Sequence, residues 1–479
     1  MKLYSGNDEY KLYHGNMLDM LEVIEPNSID SIVTDPPYGL TSITKRFGKE
    51  NSAPASTKNN DGSFARLSRG FMGKEWDGSG IEYNIDTWKK CYEVLKSGGY
   101  LLAFGGSRTF HRIACAIEDA GFEIRDTIMW LYGSGFPKSQ NISKMLDKKF
   151  GEERPIIGYT ANAGIAKNAK PDSTGSHIWS GNIRSDEPIT DIAKQWQGWG
   201  TALKPSYESI IVARKPFKGS LVDNVIENGV GGINIDECRI GNEKIYSLTK
   251  DLSATHGNNW GAGTPTPLTG EKIEHIGRFP ANTILTYDET DFNEVCGGFP
   301  NTKISRGGNA GHLDTGNVYG KYKQEKNNMG CGYNDSGSAS RYFYCAKASK
   351  KDRDEGLDTF IEEKVNDGRQ SPIDNAFQRG ETLRKNTHPT VKPTTLMQYL
   401  IRLVTPNGGT ILDPFNGSGS TGKAVMYENL ERKKDYKYIG IELTDEYLPI
   451  SKARIEYVCN LKEEQPKEKQ LELFEGELR

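Results

Sequence analysis

Residues 410–430 read "TILDPFNGSGSTGKAVMYENL". Thr410–Phe415 is a short apolar run that predicts a buried strand. The glycines that follow predict a tight turn, and "TGKAVMYENL" predicts a helix. "YKYIGIEL" (436–443) is the next strand and "DEYLPISKARIEYV" (445–458) the next helix. A strand, a glycine turn, a helix and a second strand form one half of a doubly wound sheet that binds a ligand at its strand ends.

The loop nearly spells a triphosphate-binding motif, with Gly417, Gly422 and Lys423 at the right spacing. That motif requires Ser or Thr after the lysine, because the hydroxyl holds Mg²⁺. Here the next residue is Ala424. Asp413 also places a carboxylate where phosphates would arrive. A P-loop ATPase is therefore the remote alternative. The favoured reading is a small cofactor across the strand ends. Gly417 and Gly419 admit its close approach, and Glu442 ends the second strand, where an acidic residue can hold ribose hydroxyls. Lys423 is expected to face solvent.

Working outward, "HPTVKPTTLMQYLIRLVTPNGG" (388–409) predicts a helix starting near Pro393, with Leu396, Tyr399, Leu400 and Leu403 on one face. The N-terminal part alternates strands and helices. "SIDSIVTDPPYGL" (28–40) is a buried strand ending in a proline-rich corner. "DTWKKCYEVLKSGG" (86–99) is a helix that opens on Asp86 and closes at Gly98-Gly99. "YLLAF" (100–104), "TFHRIACAIEDAGF" (109–122) and "EIRDTIMWLYG" (123–133) continue as strand, helix and strand. Residues 151–195 are rich in Gly, Asn, Ser and Asp and read as a loop or lid. A further strand lies at 206–216. Residues 217–385 look irregular, like an appended domain rather than more of the sheet. The expected parts are 1–150 and 386–460 as the two halves of the core and 196–216 as its extra strand. The others are the 151–195 lid, the 217–385 insert and a charged tail at 461–479.

The chain has 479 residues and a net charge of −3, with 35% hydrophobic residues. That length predicts more than one core. No apolar run approaches the roughly 18 residues of a membrane span, and no apolar signal core opens the chain. A cytoplasmic protein is expected. Seven scattered cysteines, without zinc-ligand spacing, read as reduced thiols, and no metal is expected.

The corner Asp35-Pro36-Pro37-Tyr38-Gly39 could be a plain turn. Its chemistry suggests more. Two prolines remove two N–H donors, which leaves a carboxylate and carbonyls beside an aromatic face. Such a corner suits a planar substrate carrying an amino group.

Together, "TDPPYG", "DPFNGSGST", "HPTVKP" and "ALKPSYESIIVARKP" resemble the DNA amino-methyltransferases. These methylate adenine N6 or cytosine N4 with S-adenosylmethionine. The order of the motifs is similar to the beta group, whose intervening region recognises the target sequence. The resemblance implies an α/β Rossmann-like sheet with an inserted, irregular target-recognition domain. It implies Asp35, Pro36, Pro37 and Tyr38 as catalytic. It implies Asp413, Phe415, Gly417, Gly419, Glu442, His388 and Lys392 at the cofactor, the last two near its methionine carboxylate. Asn16 is also implied at the cofactor, near its adenine, where relatives often have Asp, and Asp19 is a candidate substitute. Asp at the first catalytic position leans towards adenine, with cytosine N4 as the alternative.

Double-stranded DNA is the implied partner, a homodimer is compatible, and a bacterial or phage origin follows. "RYFYCAKASKKDR" (341–353) interleaves aromatic and basic residues as a DNA-facing strip would, and "FGGSRTFHR" (104–112) is expected near the strand ends. Gln470-Leu471-Glu472-Leu473-Phe474 resembles the peptide by which bacterial proteins dock to the replication sliding clamp.

Overall fold

The computed structural model describes residues 2–38, 80–132, 139–161, 179–248, 272–286, 301–302, 337–338, 343–346, 350–364 and 383–476. The first half of the chain contains β1 (Lys2–Gly6), β2 (Tyr10–His14), α1 (Met17–Leu21), β3 (Ile29–Thr34), α2 (Ile85–Val94), β4 (Leu95–Gly106), α3 (Phe110–Asp119) and β5 (Glu123–Tyr132). Next come α4 (Ile142–Lys149), α5 (Asp191–Gln195), β6 (Tyr207–Arg214), α6 (Leu221–Asn228), β7 (Thr283–Thr286), β8 (Tyr344–Cys345) and α7 (Lys350–Asp354). The last part adds α8 (Thr394–Val404), β9 (Thr410–Asp413), α9 (Ser420–Arg432), β10 (Lys437–Glu442) and α10 (Leu448–Gly476).

These strands form one ten-stranded sheet in the order β1-β2-β10-β9-β3-β4-β6-β5-β7-β8. β1 and β6 run antiparallel to their neighbours, and the other pairs are parallel. All six residues of β3 are buried, as a central strand covered on both faces requires. Its side chains alternate between two cores. Val33 joins Leu102, Phe104 and Leu400 in the layer under α8 and α9. Ile32 joins Leu101, Trp88 and Ile113 in the layer under α2 and α3. The α/β class and the doubly wound sheet are as expected. The order reverses between β9 and β3, and ligands of such sheets bind beyond the strand ends at that point.

Local expectations change where distant residues intervene. Asn84 rather than Asp86 caps α2, its side chain accepting from the Asp86 N–H at 3.0 Å. Gly98-Gly99 lie inside β4, not at a helix stop. Gly98 has φ +84°, and a Cβ there would sit 2.1 Å from Asn224 Nδ2. The described parts of 151–195 carry a hairpin, Ile156–Ala161 with Trp179–Arg184, beside α4 and α5. A buried Arg154–Asp147 pair at 2.7 Å anchors them. The described part of the expected loop therefore carries regular elements.

The 217–385 stretch is not simply appended. β7 pairs with β5, and β8 pairs with β7, so both extend the ten-stranded sheet. Tyr344, in the expected DNA-facing strip, instead stacks on Tyr399 at 4.0 Å and donates to the Thr395 carbonyl. α10 carries the expected tail as helix to Gly476, and the side chains of Gln470–Phe474 lie outside the described residues. Among the described residues no helix is long and apolar enough to cross a membrane.

Candidate active site

The glycine loop leaves β9 at Asp413 and turns with Gly417 at φ +52° and Gly419 at φ +75°. Both conformations favour glycine, and the space is closed as well. A Cβ on Gly417 would lie 2.9 Å from His388 Nε2, and one on Gly419 would lie 2.5 Å from Ser451 Oγ. Asn416 Nδ2 donates to Ser451 Oγ at 2.9 Å, and Arg454 donates to the Ser418 carbonyl at 2.7 Å. The loop is thus held from both sides.

Glu442 accepts from the Gly417 and Thr444 backbone N–H groups, each at 2.7 Å. Burial raises its carboxyl above the ordinary range, and these N–H groups offset part of the rise. Phe415 is half-buried and packs on the core beside Trp88, with ring centroids 6.4 Å apart. Asn16 caps α1 by accepting from the Leu18 N–H at 3.0 Å. The preceding residue, Gly15, donates to the Glu442 carbonyl, which sets Asn16 beside the end of β10. Asp19 is exposed in the first turn of α1.

Asp413 is buried and fully engaged. Thr34 Oγ1 and Thr421 Oγ1 each donate to it at 2.6 Å, and the Phe415 N–H does so at 3.1 Å. Burial pushes its pKa up to about 6. It braces the end of β3 against the cofactor loop rather than facing outward.

Lys423 overturns its expected solvent position. It is fully buried, with Nζ 2.8 Å from Asp352 Oδ1 and 2.9 Å from Glu355 Oε2. A lysine held this way is not offered to a phosphate, and Ala424 beside it is also buried.

At the end of β3, Asp35 Oδ2 accepts from Lys392 Nζ at 2.6 Å. Asp35 Oδ1 is buried, and no donor among the described residues reaches it. Pro36 and Pro37 are buried beside it. Tyr38 donates to Glu208 Oε2 at 2.7 Å, while its carbonyl accepts from Tyr83 OH and Thr109 Oγ1, each at 2.8 Å. Thr109 belongs to the 104–112 stretch expected at the strand ends. Gly39 lies outside the described residues.

Lys392 therefore sits at the carboxylate corner, 3.3 Å from Glu208 as well, and Phe104 flanks it 4.9 Å away. His388, by contrast, lies against the glycine loop, with Tyr447 packed edge-on against it. Burial raises Asp35, and Lys392 pulls it back. Burial lowers Lys392, but Asp35 and Glu208 outweigh that and hold the ammonium charged. Sequence reasoning quoted the strand containing Glu208 without singling the residue out. A lone acidic residue opening an apolar strand was the available signal.

The sequence profile of the DNA methylase family, of the N6/N4 methyltransferase type, matches residues 29–453. The chain belongs to this family. It is similar to the Type II methyltransferase M.HindIII of Haemophilus influenzae, with 24% identity over 244 residues, covering 47% of this chain and 64% of that one. It is also similar to the Type II methyltransferase M2.DpnII of Streptococcus pneumoniae, with 23% identity over 240 residues, covering 48% of this chain and 82% of that one. Among solved structures, the PvuII DNA methyltransferase (cytosine-N4-specific) aligns at 12% identity and a TM-score of 0.37, covering 96% of this chain and 94% of that one.

S-adenosylmethionine is the methyl donor of the DNA methylases, and the donor set fits it. The positive-φ glycine turn enters α9 at the switch point of the sheet, Glu442 lies at the end of the neighbouring strand, and the half-buried Phe415 offers a ring.

Proposed function

We propose that this DNA methylase transfers a methyl group to N6 of adenine in double-stranded DNA. The observation that carries methyl transfer to an amino group is the buried Asp35 Oδ1 without a donor, and the lean to adenine over cytosine rests on Asp at the first position of the Asp35–Tyr38 motif. A buried acceptor left unmet is costly, and an incoming amino group would satisfy it.

The cofactor, when bound, supplies an electrophilic methyl group. The chain's own residues do the rest. The exocyclic nitrogen is a poor nucleophile because its lone pair is delocalised into the ring. Asp35 Oδ1 and the Pro36 carbonyl accept its two hydrogens and favour a tetrahedral nitrogen. Tyr38, fixed by Glu208, Tyr83 and Thr109, offers its ring for stacking, worth about 1–3 kcal/mol. Lys392 occupies Asp35 Oδ2, which leaves Oδ1 for the substrate. Positive charge that grows on nitrogen meets the Asp35 carboxylate. Burial strengthens Asp35 as a base for the proton the methylated nitrogen then sheds. Inside a duplex the amino group is out of reach, so the base is flipped out.

The test is Asp35→Ala. Transfer of labelled methyl to DNA should vanish while calorimetric cofactor affinity stays within about threefold. Retention of more than about a tenth of the wild-type rate would overturn the role. Nucleoside mass spectrometry of DNA from expressing cells assigns the base, and N4-methylcytosine there would replace adenine with cytosine. The reading extends to a protein of the bacterial cytoplasm that docks a sliding clamp through Gln470–Phe474. A clamp pull-down that survives deletion of 470–474 would remove that docking.

A further inference from the structure

Between β5 and β6 the chain builds a small module from α4, the 156–161/179–184 hairpin, α5 and the segment up to Ser206. β5 ends and β6 begins on the rim that carries Asp35. The Tyr132 N–H, at the end of β5, donates to the Ser206 carbonyl at 2.9 Å. Glu208, two residues on, pairs with Gly106 at the end of β4 and bonds Tyr38 in the catalytic corner. The module is therefore rooted at the rim where a base would be presented.

A polar knot holds the module. Arg154 donates to Asp147 at 2.7 Å and to the Asp186 carbonyl at 2.8 Å, and Asp147 accepts from the Thr190 N–H at 3.0 Å. Two of its indoles are exposed. Trp196 is 40% exposed and Trp199 59%, set edge-on at 5.1 Å, and Leu203 is 90% exposed. Large apolar rings grouped on a surface mark an interaction site more often than scattered ones do. No acidic residue occurs from Ile192 to Tyr207, and lysines stand at 194 and 204. Lys194 pairs with the exposed Asp191 at 2.8 Å. Aromatic rings in an acid-free stretch suit bases beside a phosphate backbone.

We propose that Trp196 and Trp199 contact the DNA substrate, packing against bases beside its phosphate backbone. The inference rests on the DNA methylase reading and adds a second DNA-contacting element outside the 217–385 insert. The two rings should contribute about tenfold each to DNA affinity.

The test uses the full chain with Trp196→Ala/Trp199→Ala, and a Trp196→Phe/Trp199→Phe pair as the conservative control. Binding of a fluorescent duplex pool of random sequence is followed by anisotropy at low salt, with calorimetric cofactor binding as the check on folding. The alanine pair should lose about a hundredfold in duplex affinity with cofactor affinity within twofold, and the phenylalanine pair should recover most of the loss. Wild-type duplex affinity in the alanine pair overturns the proposal. So does loss of a dimer in sedimentation with duplex affinity unchanged, which would give the face to a second copy of the chain. If the wild-type chain binds duplex but transfers no methyl group, the methylase reading fails and the Trp contact stands.

Discussion

Asp35 and Lys392 lie 357 positions apart in the sequence, and their charged atoms are 2.6 Å apart in the fold. Two consequences follow for pH. Lys392 is the main influence lowering Asp35 against burial. Lys392→Met removes that influence, so the Asp35 pKa should rise. If the ionised carboxylate is the working form, the acidic limb of the rate profile should move to higher pH. The rate at neutral pH should fall at least tenfold, while cofactor affinity changes little. An unmoved acidic limb would detach Lys392 from Asp35. Asp413 gives the second case. Its folded pKa of about 6 lies above its ordinary value of 3.8. The folded state thus keeps a proton that the unfolded chain has released, and stability falls as pH rises from about 4 to 6, by about 3 kcal/mol in all. Asp413→Asn removes this titration. The melting temperature of wild type relative to the variant should therefore be higher at pH 5 than at pH 7.5. A difference independent of pH would show that Asp413 does not titrate there.

The glycine loop was legible as an element because its constraints are local. Backbone needs at Gly417 and Gly419 follow from the turn itself, and the flanking apolar runs announce β9 and β10. Gly417→Val adds strain at φ +52° and meets His388, so cofactor affinity should drop at least tenfold in calorimetry. Other features of the same elements were not legible, because their causes lie elsewhere in the chain. Helical periodicity puts Lys423 on a face of α9 without naming what covers that face. The cover is α7 and the residue after it, with Asp352 and Glu355 around the ammonium. Lys392 was assigned to the cofactor by its neighbours in sequence, yet its side chain reaches Asp35 and Glu208. Gly98-Gly99 resembled a helix stop because sequence does not show that Asn224 packs there. Lys423→Met leaves two carboxylates without their buried counter-charge and should destabilise the fold by about 3–5 kcal/mol in denaturant titration. A loss under about 1 kcal/mol would mean that those carboxylates reach water.

At the scale of the whole molecule, the insert and the catalytic sheet share one structure. Low regularity and many glycines made 217–385 look separable. Pairing across distant strands leaves no local signature, and β7 and β8 are only four and two residues long. Several contacts sew the two together. Trp130 Nε1 donates to Thr286 Oγ1 at 2.7 Å, Tyr344 stacks on Tyr399, and Arg353 donates to the His388 carbonyl. Asp352 also bonds Thr394 at the start of α8. An appended domain can be cut away and leave a folded core. Here, replacing 217–385 with a short flexible linker would expose the β5 edge, uncover Tyr399 and strand Lys423 in the interior without a counter-charge. The shortened chain should show no cooperative melting transition and no calorimetric binding of S-adenosylmethionine. A cooperative transition with cofactor affinity within threefold of wild type would prove the insert separable and reduce these contacts to accessories.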